Sequence, residues 1–286
     1  MTFRTRFAPS PTGPLHLGHA YSALLAHDMA LAAGGQFLLR IEDIDQSRAR
    51  AAWEDQIYDD LAWLGLHWPQ PVMRQSERLP AYSEALDRLW DLGLLYPCIC
   101  RRADIKNALS APQEGVPMFG PDGMIYPGTC RSRADRSGPR PTEGTLRLDM
   151  AAAFDHLGER QTLTFREVGQ GADKTITASG TTMSKEVGDI VLARQGMGTS
   201  YHLSVVCDDA EQGITDVVRG EDLFDATQIH VLLQQLLDLP TPTYHHHLLI
   251  RDDTGRRLAK RDDARAIRLF RDEGLSRKEI RTLVGL

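Results

Sequence analysis

Residues 9–14 read PSPTGP. Proline fixes φ and has no N–H to donate, so three prolines and a glycine this close together cannot be helix. The chain on either side must form separate elements joined by a stiff loop. Residues 2–8 (TFRTRFA) read as a buried strand. Beyond the loop, apolar residues recur at helical spacing over residues 17–33, and Gly34-Gly35 ends that run. Residues 36–41 (QFLLRI) are an apolar run of strand length. Strand, loop, helix, strand is a βαβ unit. It predicts an α/β fold of Rossmann type, a parallel sheet with helices on its faces.

Helical patterns return over residues 48–64 and 81–95. Residues 98–141 are rich in Pro, Gly and Arg and have little periodicity, which predicts an inserted lobe that needs a staple. Residues 146–167 read as short strands of the same α+β insertion. Strands are expected at residues 189–193 (DIVLA), 202–206 (HLSVV) and 244–250 (YHHHLLI), and a helix at 227–237. Residues 264–286 read as short charged helices. The expected division is therefore a first half of the parallel-sheet domain at 1–97, the lobe at 98–188, a second half at 189–250, and a loop with short helices at 251–286.

The 286 residues are 42% hydrophobic and 25% charged, enough for a real core in one large or two ordinary domains. No stretch approaches the roughly 20 apolar residues that cross a bilayer. The N-terminus has no apolar h-region, so a cytoplasmic chain with no membrane partner is expected. A net charge of −6 argues against charge-driven, non-specific binding to nucleic acid. Local basic faces remain open: Arg131, Arg133, Arg136 and Arg140, then Arg256, Arg257, Lys260, Arg261, Arg265, Arg268 and Arg271. Their plainer reading is a solvated surface.

The stiff loop runs directly into His16-Leu17-Gly18-His19. A helix start offers unpaired N–H groups and a partial positive charge, which suits phosphate. His16 and His19, three apart, share a helix face and can both donate to phosphate oxygens. Gly18 lets a flat ligand approach the backbone.

Residues 6–19 (RFAPSPTGPLHLGH) resemble the opening of the glutamyl-tRNA synthetases, class I enzymes whose HIGH motif would here be HLGH. The resemblance continues through residues 40–45 (RIEDID), 201–209 (YHLSVVCDD) and 217–223 (VVRGEDL), most of the chain in the family's order. It implies ATP as a substrate with Mg2+, L-glutamate, and a tRNA. It also implies a mobile lysine loop. Residues 183–185 (MSK) match by letters but come too early. Residues 257–261 (RLAKR) lie where the motif belongs, which selects Lys260, although Arg257 and Ala259 depart from the usual pattern. Catalysis and ATP binding are then expected at His16, Gly18, His19 and Lys260.

A glutamate pocket must answer a carboxylate and an ammonium. Arginine gives a carboxylate two parallel charge-assisted bonds. Arg6 and Arg219 stand in family-matched positions. Glu42 suits the ammonium, Tyr201 the wall, and Phe7, Ala8, Pro9 and Ser10 the adjoining loop. Taken singly, each is equally an ordinary salt bridge or core side chain.

Of the four cysteines, Cys98, Cys100 and Cys130 lie close together, which suggests a metal before a disulfide in a cytosolic chain. Reduced, unliganded thiols are the other reading. The family resemblance implies a zinc site with Tyr126 as fourth ligand: Cys98, Cys100, Tyr126 and Cys130. Cys207 reads as a buried apolar residue. His245, His246 and His247 invite a metal reading, but consecutive strand residues point to opposite faces.

Full-length members add a large helical anticodon-binding region after the lysine loop. Here only short helices follow Lys260. Val205 stands where those members usually carry Asn. Both features resemble the family's truncated branch, which activates glutamate without tRNA and attaches it to queuosine in the anticodon of tRNA(Asp). A monomer is expected. Three readings stay open beside it: a synthetase charging a tRNA 3′ end, another HxGH nucleotidyltransferase, and a non-catalytic RNA-binding relic.

Overall fold

The structure, a computed structural model, describes residues 2–109, 117–171, 173–250 and 265–286. β1 (Arg4–Phe7), α1 (Leu17–Ala32) and β2 (Gln36–Ile41) form the expected βαβ unit, with Arg4 opposite Gln36 and Phe7 opposite Leu39 in parallel register. α2 (Ala51–Trp63) leads to β3 (Met73–Arg74), which pairs in parallel with β2. α3 (Leu79–Asp91) follows, with Pro80 in its first turn, where the missing N–H costs nothing.

β4 (Leu95–Cys98) then enters a different sheet. The lobe continues through α4 (Arg102–Leu109), the short hairpin β5 (Phe119–Gly120) and β6 (Gly123–Met124), and β7 (Thr145–Leu148). α5 (Met150–Leu157) is capped by Asp149, which accepts from the Ala152 N–H. β8 (Thr162–Glu167) and β9 (Lys174–Ser179) form an antiparallel hairpin, followed by α6 (Gly180–Glu186) and β10 (Val191–Ala193). β7 pairs antiparallel with both β4 and β10.

α7 (Tyr201–Glu211), β11 (Asp216–Gly220), α8 (Thr227–Leu236) and β12 (Thr243–His247) complete the parallel-sheet portion. β11 and β12 pair in parallel, and β12 pairs in parallel with β8 through Tyr244 and Glu167. Thr215 ties β11 to β1: its N–H donates to the Arg4 carbonyl at 2.9 Å, and its Oγ1 accepts the Arg4 N–H at 2.8 Å. α9 (Ile267–Asp272) and α10 (Arg277–Val284) pack onto α1, where Ile267, Phe270, Ile280 and Val284 join a core with Leu15, Ala20 and Leu24. A second core runs from α3 to β12, and a small third one holds Tyr96, Cys98, Ile105 and Tyr126. Among the described residues no helix is long and apolar enough to cross a membrane.

Two expected strand runs contain helix. Residues 150–157, inside the run 146–167, form α5 behind the Asp149 cap. Residues 202–206 lie inside α7, capped by Ser200. His202, Leu203, Ser204, Val205, Val206, Asp208 and Asp209 are all buried, so this helix shows no apolar stripe and its HLSVV run mimics a strand. The strand expected at 189–193 is three residues long and antiparallel, and the one expected at 244–250 ends at His247.

Candidate active site and metal centre

His16 is the N-cap of α1, with extended backbone at φ −120° and ψ 176°. Its Nδ1 accepts the Gly18 N–H at 3.1 Å, and His19 Nδ1 accepts the His16 N–H at 3.1 Å. The two histidines form a reciprocal capping box, and their rings lie 3.8 Å apart. A ring nitrogen that accepts is unprotonated, so each neutral imidazole carries its proton on Nε2 as a donor. Gly18 makes room for the His16 ring: a Cβ there would lie 3.0 Å from His16 Cε1.

A cavity of about 750 Å³ opens at this helix start. Arg6, Phe7 and Ala8 from the end of β1 line it with His16, Gly18 and His19, and so do Glu42, Tyr201 and Arg219. Ser10 lines a neighbouring cavity of about 310 Å³ that shares Glu42 and Tyr201. Pro9 is buried and lines neither, and its carbonyl accepts the Glu42 N–H at 3.0 Å. Lys260 lies outside the described residues, with Arg257 and Ala259. Its flanks do not: Ile250 lines the cavity, and the Ile267 N–H donates to the Leu15 carbonyl at 2.8 Å, beside His16. Lys185, the other candidate, is exposed on α6 and outside the cavity wall.

The two arginines have opposite surroundings. Arg6 is buried in a bidentate pair with Asp209, Nε to Oδ1 at 2.9 Å and Nη2 to Oδ2 at 3.2 Å. Fully buried Arg40 reinforces it, with Nη1 donating to Asp209 Oδ1 at 2.7 Å and Nη2 to Glu42 Oε1 at 3.1 Å. Burial would raise the Asp209 carboxyl, but Arg6 and Arg40 outweigh it and hold the group below its ordinary range. Glu42 goes the other way, because burial exceeds the attraction of Arg40 and Arg6 and raises it. An arriving ammonium would favour the charged form of this buried carboxylate, adding to its contact with Arg40. Arg219 pairs with no carboxylate among the described residues; its partners are His246, His230, Thr227 and the Leu223 carbonyl.

Asp209, Arg40, His230 and Glu167 were not singled out from the sequence, and His246 was weighed only as a metal ligand. Arg40 and Asp209 lay inside matched motifs. Glu167 had a signal of its own: in β8 Leu163, Phe165 and Glu167 alternate on the buried face, so a carboxylate stands at an apolar position.

The cysteines converge as the lobe requires. The Sγ atoms of Cys98, Cys100 and Cys130 lie within 4.8 Å of one another, with Cys100 and Cys130 3.5 Å apart. The Tyr126 hydroxyl is 3.4 Å from Cys98 Sγ and 3.3 Å from Cys100 Sγ. A tetrahedral ion with bonds of about 2.3 Å separates its sulfur ligands by about 3.8 Å, so these four atoms fit the corners of such a site. Burial pushes the Cys100 thiol up to about 11. At Cys130 burial is outweighed by hydrogen bonding to Tyr126 and its neighbours, which holds the thiol down at about 7. Cys207 stands apart, partly buried against the core, its thiol pushed up to about 12 by burial. The three consecutive histidines diverge, to Asp216, Glu167 and Ser22 respectively. Of the Arg131 cluster, Arg131, Arg136 and Arg140 pair with Asp189, Asp149 and Asp87.

A parallel sheet with a histidine-capped helix at its mouth and a lobe with clustered cysteines beside it suit a class I synthetase, and the chain belongs to that family. Residues 2–286 match the tRNA synthetases class I (E and Q), catalytic domain. Among its relatives, the glutamyl-Q tRNA(Asp) synthetase of Rhodobacter capsulatus is 60% identical over 286 residues, covering 99% of each chain. That of Albidiferax ferrireducens is 42% identical over 92% of this chain and 85% of its own. A glutamate tRNA ligase from Elizabethkingia meningosepticum, solved with its amino acid, superposes with a TM-score of 0.70 at 26% identity. The match covers 96% of this chain but only 54% of that one, so the chain spans about half the length of that solved structure.

Proposed function

We propose that the chain joins glutamate to AMP at the expense of ATP, without needing tRNA, and then transfers the glutamyl group to queuosine in the anticodon of tRNA(Asp). The observation that carries this reading is one cavity that holds a phosphate-type helix start, a buried carboxylate, and an arginine with only neutral partners among the described residues. The relatives' names supply the acceptor.

In the first step a glutamate α-carboxylate oxygen attacks the ATP α-phosphorus, and the bond to the pyrophosphate oxygen breaks. His16 and His19 donate from Nε2 to phosphate oxygens, at a helix start that already favours negative charge. Lys260 answers the triphosphate charge, a role supported by the placement of Ile250 and Ile267 on either side of it in sequence. Mg2+ bound with ATP would neutralise phosphate charge. Arg219 takes the substrate side-chain carboxylate. Glu42 takes the ammonium. Tyr201 forms the wall, and Arg6 adds its Nη1 donors, having committed Nε and Nη2 to Asp209. Phe7, Ala8, Pro9 and Ser10 shape the adjoining loop.

In the second step a queuosine hydroxyl oxygen attacks the activated carbonyl carbon, the bond to the phosphate oxygen breaks, and AMP departs with its phosphate oxygen taking the hydroxyl proton. No side chain is assigned as base, since positioning against a reactive adenylate suffices. Cys98, Cys100, Tyr126 and Cys130 hold one structural zinc that staples a lobe with little core of its own.

Glutamate-dependent exchange of pyrophosphate into ATP tests the first step, run without tRNA. Wild-type exchange, with strong loss in Lys260→Ala, is expected. Unchanged exchange in that variant would exclude Lys260 from the phosphate chemistry.

A further inference from the structure

Arg219 has five N–H donors, and four are placed. Nε donates to His246 Nε2 at 3.1 Å, and Nη1 to His230 Nδ1 at 3.1 Å. Nη2 donates to Thr227 Oγ1 at 2.7 Å and to the Leu223 carbonyl at 3.3 Å. An imidazole nitrogen accepts only when unprotonated. His246 must therefore carry its proton on Nδ1, and His230 on Nε2.

Each of those protons meets an acceptor. His246 Nδ1 lies 2.5 Å from Glu167 Oε2. His230 Nε2 lies 3.1 Å from His202 Nδ1, and His202 Nε2 lies 3.2 Å from Asp122 Oδ1. Two chains of hydrogen bonds, each ending on a carboxylate, thus select the tautomers that face Arg219. Glu167 is itself pinned, because Oε1 accepts the backbone N–H groups of His246 at 3.0 Å and Gly169 at 2.8 Å. Gly169 permits this approach; a Cβ there would sit 2.4 Å from Glu167 Oε1. Burial and the Arg219 charge keep both contacting imidazoles neutral.

We propose that Glu167–His246 and Asp122–His202–His230 are positioning relays that hold Arg219 as a cation with no paired carboxylate among the described residues, its last Nη1 hydrogen kept for the side-chain carboxylate of the amino-acid substrate. This rests on the reading of Arg219 as the glutamate receptor. Ordinary buried arginines are neutralised by acids, as Arg6 and Arg40 are here. A guanidinium held by neutral acceptors keeps its charge for the ligand and its geometry before the ligand arrives.

The relay makes an unusual demand on Glu167→Gln, a nearly isosteric change. The two backbone N–H groups keep the carbonyl oxygen at the Oε1 position, which turns the amide NH2 toward His246 Nδ1. His246 must then protonate on Nε2 and set a donor against the Arg219 Nε–H. The KM values for glutamate and ATP, measured by pyrophosphate exchange beside the thermal midpoint, test this. Glu167→Gln should raise the glutamate KM roughly tenfold or more, the scale of one lost hydrogen bond to a charged group. Its ATP KM should stay near wild type, with the midpoint lowered by only about a few degrees. His230→Leu should raise the glutamate KM likewise, and His230→Asn, whose Oδ1 stands where Nδ1 stood, should recover most of it. A wild-type glutamate KM in Glu167→Gln overturns the relay alone. A parallel rise in both KM values with a midpoint lowered by more than a few degrees also overturns it, since that marks a merely structural role. Absence of glutamate-dependent exchange in the wild type overturns the underlying reading and the relay together.

Discussion

At the residue scale the site turns on two guanidiniums in one cavity. Arg6 belongs to a buried charge network with Arg40, Glu42 and Asp209, whereas Arg219 is ringed by neutral acceptors. The same substitution should therefore act differently at the two. Arg219→Met is expected to raise the glutamate KM by roughly a hundredfold, as for a lost charged carboxylate contact, while the fold persists. Arg6→Met leaves Asp209 with Arg40 alone, and breaking a buried pair this way costs about 3–5 kcal/mol of stability, measurable by urea unfolding. If Arg6→Met unfolds like wild type, Arg40 alone suffices for Asp209. His16, His19, Arg6, Glu42, Tyr201 and Arg219 were legible because they sit in short ordered motifs. Their partners were not. Arg6 finds Asp209 across 203 positions and His246 finds Glu167 across 79, distances that no local pattern encodes.

At the element scale the first βαβ unit was readable because its loop cannot be helix and its strands are short apolar runs. α7 was misread because it is buried nearly all round, which removes the period that separates helix from strand. Ser200, its N-cap, was the one local signal pointing the other way. The cysteine lobe is the element whose stability should depend on something besides its own packing. Its third core is small, and the Tyr126 hydroxyl links Cys98 and Cys100 and also accepts the Cys130 N–H at 2.9 Å. Cys130→Ser should remove the metal, measured as zinc per chain, and speed proteolysis within residues 98–141 before the rest of the chain is cut. Full zinc content in that variant would exclude Cys130 as a ligand.

At the scale of the whole molecule, buried histidines set how stability answers pH. Burial, and then Arg219, hold the His246 imidazole down at about 4 against an ordinary 6.5, and His230 lies well below 6.5 for the same reasons. Between those values the unfolded chain binds protons that the native state refuses. Stability present above pH 6.5 should therefore fall as pH drops toward 4. Urea midpoints across that range should show the slope, and His246→Gln should flatten it; an unchanged slope would mean that His246 titrates alike in both states. The C-terminal helices close the molecule differently, by returning to α1 and placing Ile267 beside the histidine cap. One core thereby joins the first strand to the last helix around the cavity mouth. The most direct test of what that cavity serves is transfer of labelled glutamate from ATP-activated enzyme to tRNA(Asp), prepared with and without queuosine. Label on the queuosine-containing tRNA alone, after activation that needed no tRNA, is the predicted result. Label at the 3′ end of tRNA(Glu), or activation that requires a tRNA, would contradict it.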